Sequence, residues 1–256
     1  MRIYALWCHP RSVSTAFERI MRARGDLDVL HEPFMYDYYL TQRGRLFPGF
    51  APEPGHPTSY RDIRAMIMAH AGERPVFFKD MAYYVLRDLP GDAEFMHALS
   101  HAFLIRDPAE AILSYHRLDP AFTCDELGHE AQFRLFDLLK GQGLDPLVLT
   151  ADQLRREPER TLRRYWSHVG LTYLDHAFEW DDRVPEGWES VASWHAEVLE
   201  TGAIAPPEPE RDTAGELAAL GAPFTDFDRH HRPFYEALRA VAEAQDRNWH
   251  RGPHQK

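Results

Sequence analysis

The chain has 256 residues, of which 44% are hydrophobic and 27% are charged, a composition typical of a folded protein with a full hydrophobic core. The formal net charge of −11 disfavours nonspecific binding to nucleic acid or to an acidic membrane surface. An anionic small ligand is compatible with this charge only if the protein forms a local basic pocket.

Cysteine usage and hydropathy restrict the expected compartment. Cys8 and Cys124 are too few for a disulfide framework and have no zinc-binding spacing, so we expect a reducing environment and no metal site. No segment reaches transmembrane length, and the first residues have the pattern of a strand rather than of a signal peptide. These features predict a cytoplasmic protein.

The N-terminal stretch has the pattern of an anion-binding loop. An apolar run at residues 3–7 predicts a strand, a polar segment follows at 9–15, and an amphipathic helix is predicted from Ala16. Loop amides and the positive end of a helix dipole would converge there on one anion. Arg11 would be repelled by the helix N-terminus unless an anion lay between them. Further donors are the hydroxyls of Ser12, Ser14 and Thr15.

A second apolar run, at residues 28–30, leads to a charged pair. His31 and Glu32 follow the run, and Pro33 biases Glu32 away from helical geometry, toward a strand end or a loop. The aromatic segment at 34–40 is interpreted either as hydrophobic core or as the wall of a pocket. Core is the more common outcome for such clusters.

A long loop and a third strand come next. The Pro- and Gly-rich segment at 43–60 has the length of a lid or a substrate-binding loop. A helix is predicted at 61–71 and a buried strand at 76–78. Lys79, Asp80 and Met81 follow that strand, at the end where open α/β sheets place their ligands.

The next strand, at residues 102–105, ends in Arg106 and leads into a helix. Asp107 is a suitable N-cap and Pro108 suits the first helical position of the helix predicted at 109–117. Later predicted elements are a loop at 118–128, a helix at 129–140, a strand at 146–150 and helices at 158–169 and 234–248. The strand–helix alternation predicts a parallel sheet packed on both faces.

The first loop differs from the P-loop of nucleoside-triphosphate hydrolases. It lacks the GxxxxGK[ST] pattern, and Arg11 stands where a catalytic lysine would be expected. Glycine is also absent, so Val13 must tolerate the turn. These departures disfavour ATP or GTP hydrolysis.

Three segments resemble the sulfotransferase family. Residues 10–15, PRSVST, are similar to the family's first loop, P-[KR]-S-G-[ST]-T, and depart from it at Val13. The family's second motif, an arginine that ends a strand and a serine eight positions later, is matched by Arg106 and Ser114. Residues 148–171 are similar to the family's strand–YEDL–helix–FLGL segment.

The resemblance implies an α/β fold, a three-layer α/β/α, P-loop NTPase-like sandwich with a central parallel sheet, in one domain of residues 1–256. The core would be 1–175, and 176–256 would be irregular and helical additions. It also implies 3′-phosphoadenosine 5′-phosphosulfate (PAPS) as co-substrate, without a metal. Arg106 and Ser114 would hold its 3′-phosphate. The implied cofactor-binding residues are Arg11, Ser12, Val13, Ser14, Thr15, Arg106 and Ser114.

The resemblance also implies which residues carry the reaction. Cytosolic sulfotransferases use a histidine in a K-x-H segment, which Lys79-Asp80-Met81 lacks. Heparan-type and some bacterial carbohydrate sulfotransferases instead use a glutamate in an E-x-x-F-F-like motif, and the segment from His31 to Phe34 is similar to that version. We therefore predict Glu32 as the general base, with His31 and Asp80 as reserves. Lys79 and Arg11 would stabilise charge on the transferred group and the leaving phosphate.

Each of these residues also has a purely structural interpretation. Arg106 and Asp107 would then be a helix-start ion pair, Ser114 a packing residue, Glu32 a solvated carboxylate, and Lys79 a partner of Asp80 or Glu73. Zinc binding by His97 and His101 on one helix is disfavoured because no third ligand is evident. We expect His230 and His231 to be solvated and Cys8 to be a packing residue. Trp188 and Trp194 are interpreted either as part of the acceptor pocket or as a cover over the nucleotide.

Function is therefore predicted as sulfuryl transfer from PAPS to the hydroxyl, or an amine, of a small-molecule or sugar acceptor. A P-loop small-molecule kinase and a non-catalytic nucleotide-binding regulator with the same fold are the alternatives. We expect neither a nucleic-acid partner nor a membrane partner.

Overall fold

A computed structural model describes residues 2–43, 46–180, 183–185, 187–188, 194, 202–206 and 211–251. Its centre is a five-stranded, all-parallel sheet with the strand order β2-β3-β1-β4-β5. The strands are β1 (Ile3–Cys8), β2 (Asp28–His31), β3 (Val76–Met81), β4 (Leu99–Ile105) and β5 (Leu147–Thr150). Helices flank this sheet, which confirms the predicted α/β fold.

Twelve α-helical segments are described within these ranges. They are α1 (Ser14–Ala23), α2 (Met35–Asp37), α3 (Tyr60–Glu73), α4 (Ala82–Val85), α5 (Ala93–Ala98), α6 (Pro108–His116), α7 (Cys124–Leu127), α8 (His129–Gly141), α9 (Ala151–Arg156), α10 (Pro158–Val169), α11 (Thr213–Leu220) and α12 (Phe224–Arg251). A π-helical turn spans Tyr38–Arg43, and 3-10 turns span Leu89–Gly91 and Asp175–Phe178.

Both faces of the sheet are covered, which explains the uninterrupted apolar runs of its central strands. Successive side chains of β3 point to opposite faces. Phe77 stacks on Phe17 of α1 with ring centroids 6.0 Å apart. Phe78 instead meets Trp7 and Phe34, at 5.7 and 6.1 Å. The same alternation decides which polar side chains of β3 reach the candidate site.

The chain order reverses around β1, the middle strand. β1 pairs with β3 on one side and with β4 on the other. Such a reversal leaves a crevice at the carboxyl ends of the strands, where open α/β sheets bind ligands. The loop after β1 and the residues that end β2, β3 and β4 meet at this crevice.

The caps around α6 follow the sequence prediction. The Asp107 side chain accepts a hydrogen bond from the Ala109 amide at 2.9 Å, and Pro108 occupies the first helical position. Asp107 also pairs with Arg232 of α12. The interpretation of Arg106 and Asp107 as a helix-start ion pair is therefore wrong, because each has a different partner. Arg106 pairs with Glu110.

The C-terminal prediction is wrong in two respects. α12 begins at Phe224, ten residues before the predicted start at 234, and continues through Pro233. Proline removes one backbone donor, and tertiary packing of the helix outweighs this loss. His231 lies in α12 and is buried at 1% exposure, whereas His230 is exposed. The prediction that both histidines are solvated is therefore correct for His230 and wrong for His231. The sequence patterns did not predict α11, the helix at Thr213–Leu220.

Two other local predictions need correction. His97 lies at the end of α5, whereas His101 lies in β4 and bonds to Trp7 Nε1 and to the Met96 carbonyl. The two residues therefore do not share a helix. Among the described residues, no helix is both long enough and apolar enough to cross a membrane. The cytoplasmic location and the division into a core and C-terminal additions stay predictions.

Candidate active site

The loop after β1 holds its backbone in an unusual conformation. Arg11 and Val13 have φ angles of 65° and 70°, in the left-handed region that favours glycine. Val13 is the N-cap residue of α1, and its apolar side chain makes no capping hydrogen bond to this helix. This geometry strains the backbone of a β-branched residue, and such strain is common where a loop is shaped for a ligand. The turn that the sequence required of Val13 is thus present.

Ser12 supplies the first sign of a ligand. Its side chain is fully buried and lines the cavity above the loop, yet its Oγ has no hydrogen-bond partner among the residues that the structure describes. A buried hydroxyl without a partner costs free energy unless something bonds to it. Together with the positive end of the α1 dipole, this hydroxyl provides a setting that suits an anionic ligand.

Arg11 joins the first loop to the second motif. Its Nε donates to Ser114 Oγ at 2.9 Å, and one of its terminal nitrogens donates to the Trp194 carbonyl at 3.2 Å. Arg106 in turn donates to the Arg11 carbonyl at 3.1 Å. The structure thus brings Arg11 to two residues that lie 95 and 103 positions further along the sequence.

Two buried histidines hold the Arg106 backbone. The Arg106 amide donates to His9 Nε2 at 2.9 Å, and its carbonyl accepts from His129 Nε2 at 2.8 Å. The two imidazole rings lie 4.0 Å apart. Burial lowers the pKa of His129 to about 3 and lowers the pKa of His9 well below its usual range. Both rings are therefore neutral at pH 7.

The predicted base lies at the end of β2 and contacts the predicted lysine. Glu32 has a φ of 42°, its amide donates to the Lys79 carbonyl, and it is only 7% exposed. Lys79 Nζ lies 2.5 Å from Glu32 Oε1. Burial alone would lower the Lys79 pKa, but the carboxylates of Glu32 and Glu18 outweigh burial and raise it. Glu32 is thus not a solvated carboxylate, and Lys79 pairs with neither Asp80 nor Glu73.

The structure adds Glu18, a residue that sequence reasoning missed. It is fully buried on α1, and its carboxylate accepts hydrogen bonds from His31 Nδ1 at 2.6 Å, Arg22 Nε at 2.8 Å and Trp188 Nε1 at 2.8 Å. Burial by itself would raise the Glu18 pKa, but His31, Arg22 and Lys79 hold it well below its usual range. The only sequence signal was an acid inside an amphipathic helix with an arginine four residues later.

The reserve bases differ in position. His31 lines the cavity, and its Nε2 lies 3.8 Å from Glu32 Oε1. Asp80 does not line the cavity, since it points to the other face of β3 and accepts from the Phe34 amide at 2.8 Å. Burial raises the Asp80 pKa well above its usual range. Of the two, only His31 has access to a ligand.

A single cavity collects these groups together with an aromatic wall. Its charged and hydroxyl lining residues are Arg11, Ser12, Ser14, Thr15, Glu32, Lys79, Arg106, Ser114, Arg117 and Arg155. Its aromatic lining residues are Tyr39, Phe47, Tyr83, Tyr84, Tyr115 and Trp194. The segment at 34–40 is thus mainly core, with Tyr39 in the wall. Phe47, from the long loop, also lines the cavity.

The remaining candidates lie outside this cavity. Cys8 is buried, and burial raises its thiol pKa to about 12, which fits the expected packing role. Cys124, His230 and His231 have ligand atoms within 4.8 Å of one another. His231, however, donates to the Cys124 carbonyl at 2.8 Å and accepts from the Glu130 amide at 3.3 Å, so both of its nitrogens are used by backbone groups.

Two proteins of Arabidopsis thaliana are related in sequence. The chain is 27% identical over 215 residues to branched-chain-amino-acid aminotransferase-like protein 2, and 26% identical over 250 residues to aminotransferase-like protein 1. These matches cover 78% and 91% of the chain, but only 35% and 41% of the two relatives. The chain thus spans well under half the length of these proteins.

Solved structures with a similar fold are sulfotransferase domains. The domain from the curacin biosynthetic pathway has a TM-score of 0.55 at 12% identity, covering 86% of this chain and 96% of that one. The domain from the Synechococcus PCC 7002 olefin synthase has a TM-score of 0.55 at 17% identity, with coverages of 86% and 94%. At these identities the likeness concerns the fold. The sulfotransferase domain model matches residues 1–242, so the chain belongs to the sulfotransferase family.

Proposed function

We propose that this protein is a PAPS-dependent sulfotransferase that transfers a sulfuryl group to a hydroxyl, or an amine, of a small-molecule acceptor. The observation that carries the proposal is that two predicted anion-binding groups line one cavity. The first loop and the Arg106–Ser114 pair are joined there through Arg11, beside the ion pair of Glu32 and Lys79. A co-substrate with two separate phosphate positions matches this arrangement.

The residues present fit PAPS. Ser12, whose buried Oγ has no hydrogen-bond partner among the described residues, and the N-terminal end of α1 suit the 5′-phosphosulfate end. Arg106 and Ser114 suit the 3′-phosphate, and the bond from Arg11 to Ser114 favours Arg11 at that same end. When bound, PAPS supplies an activated sulfuryl group on a phosphate leaving group.

Glu32 and Lys79 suit two needs of the reaction, which are to accept the proton of the acceptor hydroxyl and to stabilise negative charge in the cavity. In the proposed mechanism, Glu32 accepts the proton of the acceptor hydroxyl. Protonation removes the negative charge that holds Lys79 at 2.5 Å, so the Lys79 ammonium is released to stabilise negative charge in the cavity. One proton transfer thus activates the acceptor oxygen as a nucleophile and releases the cation, and the proposed mechanism uses no metal.

The aromatic wall defines the acceptor side of the cavity. Tyr39, Phe47 and Tyr84 present rings there, and Trp194 extends this wall by packing on Phe47 at 5.1 Å and on Tyr115 at 5.6 Å between ring centroids. Such a surface favours a flat or apolar body, including one face of a sugar ring, beside the reacting hydroxyl. Acceptor identity is the first unknown to screen.

The proposal is tested by calorimetry and by an acceptor screen. We expect adenosine 3′,5′-bisphosphate to bind more tightly than ADP or ATP, because only the bisphosphate has a group for Arg106 and Ser114. Transfer from labelled PAPS to a panel of phenols, alcohols, sugars and amines then tests activity. Tight binding of ATP alone would favour a small-molecule kinase, whereas bisphosphate binding without transfer would favour a nucleotide-binding regulator.

A further inference from the structure

The Arg106 side chain, which suits a 3′-phosphate, has a carboxylate partner within the chain. Its Nε donates to Glu110 Oε2 at 2.8 Å, and one of its terminal nitrogens donates to the Arg11 carbonyl at 3.1 Å. Only 8% of the Arg106 side chain is exposed. A guanidinium that has lost most of its hydration needs a neighbouring negative charge. In this structure Glu110 supplies that charge.

Glu110 reaches Arg106 from outside the candidate active-site cavity. It lies in the first turn of α6, four residues after Arg106, and 36% of its side chain is exposed. Glu110 lines a second cavity between α6, α11 and α12, whereas Arg106 lines the first. The ion pair therefore lies at the boundary between the two cavities. The second cavity gives the Glu110 carboxylate space to turn away from Arg106.

The two predicted phosphate positions differ in their internal contacts. At the position predicted for the 5′-phosphosulfate end, the buried Ser12 Oγ has no hydrogen-bond partner among the described residues. At the position predicted for the 3′-phosphate, Arg106 is paired with a carboxylate, and Ser114 Oγ accepts a hydrogen bond from Arg11 Nε at 2.9 Å. A phosphate that approaches Arg106 therefore meets a side chain of its own sign of charge.

We propose that Glu110 is a specificity-determining residue that competes with the 3′-phosphate for Arg106, and so limits the affinity for both the donor and the bisphosphate product. This inference rests on the proposed function. A 3′-phosphate at Arg106 places further negative charge close to the Glu110 carboxylate. The carboxylate then either turns into the second cavity and loses its ion pair, or stays and repels the phosphate. Each outcome weakens binding of the 3′-phosphate.

The exposure of the two partners sets the size of this effect. Exposed ion pairs contribute little to stability, whereas breaking a buried pair is costly. The pair of Arg106 with Glu110 is intermediate, because the arginine is buried and the carboxylate is partly exposed. We therefore expect Glu110 to weaken binding of the bisphosphate by about threefold to twentyfold. ADP has no 3′-phosphate, so its affinity should not depend on Glu110.

The competition concerns binding and release rather than the transfer step. PAPS and adenosine 3′,5′-bisphosphate carry the same 3′-phosphate, so Glu110 lowers the affinity for both by the same factor. An interaction that is equal for the substrate, the transition state and the product leaves the chemical barrier unchanged. The carboxylate therefore favours release of the bisphosphate after transfer, at the expense of weaker binding of the donor.

Calorimetry of Glu110→Gln tests the proposal, because glutamine keeps the length of the side chain and removes its charge. The dissociation constant of adenosine 3′,5′-bisphosphate should fall by about threefold to twentyfold, while that of ADP stays within about twofold. Glu110→Asp keeps the charge but shortens the reach, so its affinity should lie between those of the wild type and Glu110→Gln. In the Arg106→Ala background, Glu110→Gln should give a smaller gain.

Glu243→Gln is the matched control. Glu243 pairs with Arg239, four residues earlier on α12, at 2.6 Å, and it does not line the cavity. This variant loses the same charge and should leave both affinities within about twofold of the wild type. Unchanged or weaker bisphosphate binding in Glu110→Gln would overturn the proposal. Equal tightening of bisphosphate and ADP, or an equal gain in the Arg106→Ala background, would show general repulsion instead of competition and would also overturn it.

The comparison of the two nucleotides separates this inference from the proposed function. If the wild type prefers the bisphosphate to ADP and Glu110→Gln leaves this preference unchanged, only the competition by Glu110 is refuted. If neither the wild type nor Glu110→Gln prefers the bisphosphate, the proposed PAPS site is contradicted, and the competition with it.

Discussion

Acid pH should weaken this fold through the buried histidines that hold Arg106. His9 and His129 bond to the two backbone groups of Arg106, and the ring of His231 lies 5.6 Å from that of His129. His129 Nδ1 is buried without a hydrogen-bond partner among the described residues. A proton there would create a buried charge with no acceptor, which is the physical reason for its low pKa.

The direction and the size of this loss of stability follow from proton linkage. Burial lowers the pKa of His129 to about 3 and of His231 to about 4, and lowers that of His9 well below its usual range. Their neutral forms therefore stabilise the fold above the unfolded pKa of about 6.5, and this contribution declines as the pH falls toward the folded values. At pH 5.5 each histidine costs on the order of 1 kcal/mol, or roughly 3 to 4 kcal/mol together, against a typical stability of about 5–15 kcal/mol.

Urea unfolding between pH 5 and 7.5 measures this loss. His129→Gln keeps a donor for the Arg106 carbonyl but cannot titrate. The number of protons taken up on unfolding should therefore fall by about one, so the slope of the unfolding free energy against pH should fall by roughly 1 kcal/mol per pH unit near pH 5.5. His97→Gln is the matched control, because His97 is exposed. A wild-type slope in His129→Gln would refute the reasoning, as would an equal change in both variants.

Three further variants test the site. Arg106→Ala should weaken the binding of adenosine 3′,5′-bisphosphate far more than the binding of ADP, as measured by calorimetry, because only the bisphosphate has a 3′-phosphate. Equal losses of affinity for the two nucleotides would contradict the assignment. Glu32→Gln should retain bisphosphate binding while transfer from labelled PAPS falls about 10²- to 10⁴-fold, and normal turnover would make His31 the base. Val13→Gly should be more stable to urea than Val13→Ala by about 1 kcal/mol, because the φ of 70° favours glycine, and the reverse order would show that the loop is not strained.

Local sequence patterns predicted the elements that carry the site. The strand–helix alternation indicated a parallel sheet, and Asp107 with Pro108 marked the start of α6 correctly. The resemblance assigned Glu32 and Lys79 to the same reaction, and the structure joins them in an ion pair. These predictions succeed because caps, apolar runs and strand ends are local features of the chain.

The helix that follows Gly221 shows where local patterns fail. The predicted helix begins at 234, directly after Pro233, a residue that normally ends a helical pattern. The packing of α12 decides otherwise, and the same packing buries His231. Since burial depends on contacts with distant elements, the charged residues around His231 gave no sign of it.

The sequence by itself determined the fold class, and it predicted an anion-binding loop after β1 with Arg106, Ser114, Glu32 and Lys79 as candidate site residues. Only the tertiary structure showed that Arg11 bonds to Ser114, that His9 and His129 hold Arg106, and that Glu18 supports His31. The physical reason is sequence separation. Strand, cap and loop signals lie within a few residues, whereas these contacts join separate segments and exist only once the parallel sheet has brought its strand ends together.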